Sequence, residues 1–322
     1  MDAPVLSVRD LKVRFATRQG TGLAVNGVSF DLHQGETLGL VGESGCGKSM
    51  TALSILGLHP QPASGIVGGQ ILFRGDDLVG KTQRQMRAVR GAHIAMVPQD
   101  PLTALNPVLT VGAQIYEPLK LHRHLSGQAL RQRAIELLRL LRIPEPESRL
   151  RNYPHQFSGG MRQRVVGAIA LSCAPEVLIA DEPTTSLDVT VQAAYLKLLR
   201  DVQRETQLAT LFITHDFGVV GKLCDRVAVM YGGRVVEIAP TAQLFARPAH
   251  PYTEALLSSV PDVRVTTGRL YSIPGQPPSI YQMPRGCAFA PRCPYVMPRC
   301  EQEVPPEVEV TPGQRASCWK YA

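Results

Sequence analysis

The residues that most constrain this chain are Gly42-Glu43-Ser44-Gly45-Cys46-Gly47-Lys48-Ser49. They fit the pattern G-x-x-x-x-G-K-[ST]. A short apolar run, 37–41, precedes them, and an apolar run with helical character, 50–58, follows. Glycines at such a corner let successive backbone N–H groups turn toward one anion, and the helix N-terminus behind them adds a favourable dipole. Gly42, Ser44, Gly45, Cys46 and Gly47 therefore read as a phosphate cradle. Lys48 is placed to reach β- and γ-phosphates, and the Ser49 hydroxyl to ligate Mg²⁺.

A loop of this kind belongs to a strand–loop–helix unit, and the remaining pattern predicts an α/β core around it. Residues 5–15, 25–32, 71–74 and 93–97 read as strands. Residues 177–180, 210–214 and 226–230 read as buried strands between helices, and 112–143 carry helical spacing with Leu130, Ile135, Leu138 and Leu141 on the inner stripe. Strands alternating with helices predict a largely parallel sheet. Apolar residues make up 44% of the chain and charged residues 19%, a balance that excludes global disorder. No apolar run is long enough to span a bilayer, and Met1-Asp2-Ala3-Pro4 does not read as a secretory signal. The expectation is a soluble chain that stays in the cytosol.

A second element belongs to the same chemistry. Val177-Leu178-Ile179-Ala180-Asp181-Glu182 is an apolar strand ending in two carboxylates. Beside a phosphate loop, Asp181 is suited to hold Mg²⁺ through water and Glu182 to polarise an attacking water. Nucleoside triphosphate hydrolysis is the predicted reaction. Ser158-Gly159-Gly160 offers a further anion site, because Ser158 can cap a helix while the two glycines expose N–H groups.

Phe157-Ser158-Gly159-Gly160-Met161-Arg162-Gln163-Arg164 resembles the signature motif of ATP-binding-cassette ATPases. Gln99, in Val97-Pro98-Gln99-Asp100, is similar to that family's loop between nucleotide site and transport partner. Ser186-Leu187-Asp188 resembles its D-loop, His215 in Thr214-His215-Asp216 its switch histidine, and Phe15 its adenine-stacking ring. The resemblance implies an α/β P-loop cassette with a helical signature subdomain at about 100–160. It implies ATP as substrate, with Gln99 joining Ser49 and Asp181 at Mg²⁺. His215 then holds the γ-phosphate and the water in line with Glu182. It also implies a head-to-tail dimer that sandwiches two ATP molecules between one subunit's phosphate loop and the other's signature.

Within the family, Gln99-Asp100-Pro101-Leu102-Thr103-Ala104-Leu105-Asn106-Pro107, Tyr153-Pro154-His155-Gln156-Phe157 and His250-Pro251-Tyr252-Thr253-Glu254-Ala255-Leu256-Leu257 resemble the oligopeptide/dipeptide/nickel importer branch. Gly160-Met161-Arg162 is more similar to its D-type ATPase than to its F-type. The branch implies a peripheral protein on the cytoplasmic face of the bacterial inner membrane. Its implied partners are two integral-membrane permeases, a second cassette ATPase of the F-type, and an extracytoplasmic substrate-binding protein. Whether that second ATPase is distinct or another copy stays open, as does the cargo. Peptides are the expectation, with nickel or another small solute as the alternative. A soluble cassette ATPase of DNA repair or translation is the contrasting class, but such chains generally carry two cassettes or long inserted modules.

The net charge of +7 comes from a local excess, since residues 81–151 hold twelve Lys/Arg against five Asp/Glu. Such a patch suits an anionic lipid surface or a partner protein as well as RNA, and no nucleic-acid partner is expected. Cysteines divide the chain differently. Cys287, Cys293, Cys300 and Cys318 crowd into the last 36 residues, spaced C-x5-C-x6-C-x17-C. Four thiolates can hold Zn²⁺ or an iron–sulfur cluster, and free or redox-active thiols are the third possibility. The wide spacing, with Pro291, Pro294 and Pro298 interleaved, lacks the tight C-x2-C knuckle usual for zinc ribbons. Resemblance to peptide-importer ATPases points to a four-iron four-sulfur cluster. The expected domains are a cassette over 1–245 and a loop-rich C-terminal extension over 246–322 that holds the four-cysteine site.

Overall fold

Leu38, Leu40 and Val41 have no exposed surface, and the short run they belong to forms a strand covered on both faces. The computed structural model that places them describes residues 3–18, 20–185, 187–260 and 272–322. Its first six strands are β1 (Leu6–Thr17), β2 (Gly20–Leu32), β3 (Thr37–Val41), β4 (Ser64–Phe73), β5 (Asp76–Asp77) and β6 (Ile94–Val97). The others are β7 (Val177–Asp181), β8 (Ala209–Thr214), β9 (Arg226–Tyr231), β10 (Arg234–Pro240), β11 (Val308–Thr311) and β12 (Gln314–Ala316).

The chain divides into two units. The first comprises Met1–Val5, Leu32–Glu36 and Gly80–Phe212; the second comprises Leu6–Asp31, Thr37–Val79 and Ile213–Ala322.

In the second unit one sheet runs β2-β1-β4-β5. β1 and β4 are antiparallel, from Leu6 opposite Phe73 to Phe15 opposite Ser64. Leu6 and Val8 are buried at even positions, Leu11 and Val13 at odd ones. A bulge between Arg9 and Val13, with Asp10 at φ +45°, shifts the alternation by one residue and keeps all four on the covered face. The other sheet carries β3 and β9 side by side in parallel, Leu38 opposite Arg226 and Val41 opposite Val229. Beyond β9 it does not stay parallel as the sequence predicts. β10, β12 and β11 follow in antiparallel order. The cause is Gly232-Gly233, both at positive φ, which turns β9 straight back into β10 as a two-residue hairpin.

In the first unit β6 and β7 pair in parallel, Ile94 opposite Val177 through Val97 opposite Ala180. Helices Val111–Arg123, Gly127–Leu140 and Gly159–Ala170 pack together there. The predicted inner stripe is buried: Leu130, Ile135, Leu138 and Leu141 all lie in the core. The helical run over 112–143 is broken, however. His124 adopts the left-handed conformation that ends one helix, and Ser126 stands at the N-cap of the next. No helix among the described residues is long and apolar enough to cross a membrane.

Candidate functional site

β3 ends at Val41, and Lys48 opens helix Lys48–Ile55, so residues 42–47 form the turn that the sequence predicts. Gly47 sits at φ +107°, where a Cβ would stand 2.3 Å from the Ala24 carbonyl oxygen, and only glycine fits. At Gly45, at φ +80°, a Cβ would meet nothing within 4 Å, so that face of the loop is open. Ser44 and Ser49 are exposed, while Cys46 is buried and its thiol is pushed up by that burial. Lys48 is also buried; its Nζ donates to the carbonyls of Gly42 at 2.8 Å and Glu43 at 3.0 Å. Nζ also lies 3.7 Å from Cys46 Sγ, and a cation so enclosed among neutral groups suits an incoming anion.

Three further residues of the second unit hold this loop, and the motif reading missed all of them. Gly233 N–H donates to the Cys46 carbonyl at 3.1 Å. Glu43 N–H donates to Tyr252 Oη at 2.8 Å. The Arg292 guanidinium donates twice to the Glu43 carboxylate, at 2.6 and 3.0 Å. Those bonds raise the Arg292 guanidinium above its ordinary range. Tyr252 belongs to a run singled out for its resemblance, but nothing local marks Arg292, which lies 249 positions from its partner.

The carboxylates lie in the first unit. Asp181 ends β7 and is buried, while Glu182 is half-buried. Glu182 adopts φ +44°, a left-handed backbone unusual for a residue with a Cβ. Gln99 Nε2 donates to Glu182 Oε2 at 3.1 Å, and Thr185 Oγ1 donates to the same oxygen at 3.1 Å. Two residues that the sequence singled out separately, Gln99 and Glu182, are thus in contact. Asp181 carries carboxylate oxygens, a donor type that suits Mg²⁺.

In the same unit Ser158 caps helix Gly159–Ala170, its Oγ accepting from Met161 N–H at 3.4 Å. Ser158 and Gly159 are exposed, and Gly160 is half-buried with a Cβ barred by Val191. Ser186 lies outside the described residues; Asp188 caps helix Val189–Thr206 by accepting from Val191 N–H at 2.9 Å. In the second unit Phe15 is half-buried on β1, and His215 is exposed just past β8.

Cys287, Cys293, Cys300 and Cys318 line one pocket in the second unit, beside His250 and Phe289. Its free volume is about 20 Å³. Burial pushes the Cys287 thiol up to about 11 and raises those of Cys293 and Cys318. Backbone N–H groups oppose this in each case, from Phe289 and Ala290 at Cys287, Tyr295 at Cys293 and Lys320 at Cys318. The expected four-cysteine centre is not shown as a metal site. Among the described residues no group of three or more His, Cys, Asp or Glu stands where it could hold a metal ion. The spacing brings the four cysteines to one pocket.

Comparison with known proteins agrees with this geometry. The ABC transporter family matches residues 25–185, and the C-terminal region of oligopeptide/dipeptide transporters matches residues 236–300. The dipeptide transport ATP-binding protein DppD of Bacillus subtilis is 50% identical over 98% of this chain and 94% of its own. The oligopeptide transport ATP-binding protein OppD of Escherichia coli is 45% identical over 98% of this chain and 93% of its own. Among solved structures, the dimeric ATP-binding cassette MJ0796 with ADP and phosphate has TM-score 0.66 and 25% identity, over 73% of this chain and 98% of that one. The cassette architecture and the C-terminal match together place the chain: it belongs to the ABC transporter ATP-binding proteins, in their oligopeptide/dipeptide branch.

Proposed function

We propose that this chain is the ATP-hydrolysing subunit that powers a peptide importer of the dipeptide or oligopeptide type. The observation that carries this reading is likeness along almost the whole chain, 50% identity to DppD of B. subtilis, joined to the C-terminal match over 236–300. Residues 1–245 serve as the cassette and 246–322 as its extension. Gly42, Ser44, Gly45, Cys46, Gly47, Lys48 and Ser49 bind the phosphates, and Phe15 the adenine. Ser49, Gln99 and Asp181 hold Mg²⁺, which neutralises phosphate charge when bound. Glu182 takes the proton of the attacking water. Gln99 and Thr185 keep its carboxylate in place through their bonds to Oε2. His215 orients the γ-phosphate. Ser158, Gly159 and Gly160 serve the nucleotide of the facing subunit in a head-to-tail dimer.

The partners in this reading are two membrane permeases, an extracytoplasmic binding protein and a distinct F-type ATPase, with the chain peripheral on the cytoplasmic face. The four cysteines hold a four-iron four-sulfur cluster, with zinc as the alternative. Their common pocket and the N–H groups facing three of the sulfurs support a thiolate-bound group. Purification from native membranes in mild detergent, followed by mass spectrometry, tests the assembly. Two permeases, a second ATPase and a binding protein are expected; ribosomal or DNA-repair proteins in their place overturn the transport reading. Anaerobic preparation should yield iron and acid-labile sulfide in equal amounts, and stoichiometric zinc without iron overturns the cluster.

A further inference from the structure

A carboxylate inside a phosphate cradle is an electrostatic liability, because it repels the anion the cradle exists to hold. Glu43 occupies such a position, and the chain restrains it at four atoms. Its N–H is held by Tyr252 Oη, its carbonyl by Lys48 Nζ, and its carboxylate by both ends of the Arg292 fork. Arg292 is itself seated firmly. Its side chain is 4% exposed, its Nε donates to the Pro274 carbonyl at 2.9 Å, and Nη1 donates to Tyr231 Oη at 3.2 Å. The rings of Tyr231 and Phe289 stand 5.8 and 6.0 Å from the guanidinium carbon. An ion pair with one partner buried and the other half-buried is a poor device for stability alone, since desolvation offsets much of its attraction. Its placement on the cradle calls for another purpose.

We infer that Arg292 is a positioning residue for triphosphate binding: it neutralises Glu43 and holds that carboxylate away from the incoming phosphates. Tyr252 and Arg292 thereby contribute to the nucleotide site through the phosphate loop. The inference rests on the reading of residues 42–49 as the triphosphate cradle. It gives the two partners opposite signs. Removing Arg292 frees a repelling carboxylate, whereas removing the Glu43 charge leaves a cation beside the phosphates.

Titration of the full-length chain with a fluorescent ATP analogue tests this, alongside thermal unfolding without nucleotide. Arg292→Gln should weaken binding about tenfold, the weight of one contact worth about 1.4 kcal/mol. Glu43→Gln should bind at least as tightly as the unaltered chain. The double variant Glu43→Gln/Arg292→Gln should recover to within roughly threefold of it. Arg292→Lys keeps the charge without the fork, gives an intermediate loss, and decides the question if Arg292→Gln does not fold. Equal losses in Glu43→Gln and Arg292→Gln would reduce the pair to a structural brace and overturn the inference. Failure of the unaltered chain to bind ATP would instead overturn the cradle reading beneath it.

Discussion

Replacing Glu182 by Gln isolates the proton-accepting role assigned to this carboxylate. Two donors, Gln99 Nε2 and Thr185 Oγ1, address the one oxygen Oε2, each at 3.1 Å. A glutamine has the same shape, and with its amide oxygen in the Oε2 position it keeps both bonds. The left-handed backbone at this residue, φ +44°, strains Glu and Gln alike. Substitution therefore keeps these two bonds and removes the basicity. Loss of a general base costs ~10²–10⁴ in rate. We expect turnover to fall about a thousandfold, a barrier increase of about 4 kcal/mol, with ATP affinity held within roughly threefold. Single-turnover phosphate release with protein in excess reads the first quantity, and an independent nucleotide titration reads the second. Turnover within a factor of about ten of the unaltered chain would refute Glu182 as the base. A matching loss of affinity would refute the separation of binding from chemistry.

Two predictions concern the tail. Glu237 is 1% exposed and accepts from Ala249 N–H at 2.9 Å, His250 N–H at 2.8 Å and Gln314 Nε2 at 2.8 Å. Glu237→Gln turns an amide NH₂ toward one of those backbone donors, so unfolding in urea should show a loss of about 3 kcal/mol, and a change below about 0.5 kcal/mol would refute the network's weight. Burial lowers the His250 pKa from 6.5 to about 3. Between those values the unfolded chain takes up a proton that the folded chain refuses. Stability therefore falls as pH drops below 6.5, by up to about 1.4 kcal/mol per pH unit. His250 Nδ1 accepts the Tyr252 N–H, so His250→Asn, which keeps an acceptor, should flatten that slope in urea unfolding between pH 7 and pH 5; an unchanged slope would assign the acid sensitivity elsewhere.

What could be read from the sequence follows from how local each constraint is. The phosphate loop was legible because its strand, glycines, lysine and helix start are contiguous, and each residue type answers a local demand. Gln99 and Glu182 were each singled out, but their hydrogen bond spans 83 positions and no spacing rule predicts it. The helix break at His124–Ser126 was missed because leucine spacing continues on either side of it, although Ser126-Gly127 is itself a start signal. Gly232-Gly233 was likewise a readable hairpin signal, and β10 after it alternates less than it buries: Val235, Val236, Glu237, Ile238 and Ala239 are all covered. The four cysteines show a different limit. Their spacing specified a set, and the structure gathers that set, but ligating geometry depends on side-chain distances that spacing does not encode.

The tail is the clearest case of composition pointing one way and packing another. Prolines there read as a loop-rich extension, yet its residues complete elements begun elsewhere in the second unit. β12 pairs with β10, Glu237 opposite Ala316, and β10 pairs with β9, which lies beside the strand that launches the phosphate loop. Tyr231 at the end of β9 packs against Tyr252 and Phe289, with ring centres 4.5 and 5.3 Å away. Arg292 then stands on that aromatic floor and grips Glu43. A proline-rich segment can be rigid because each ring removes a backbone freedom before folding begins. Rigidity is what a fork aimed at one carboxylate needs, since a mobile arginine would lose in side-chain entropy what it gains in charge.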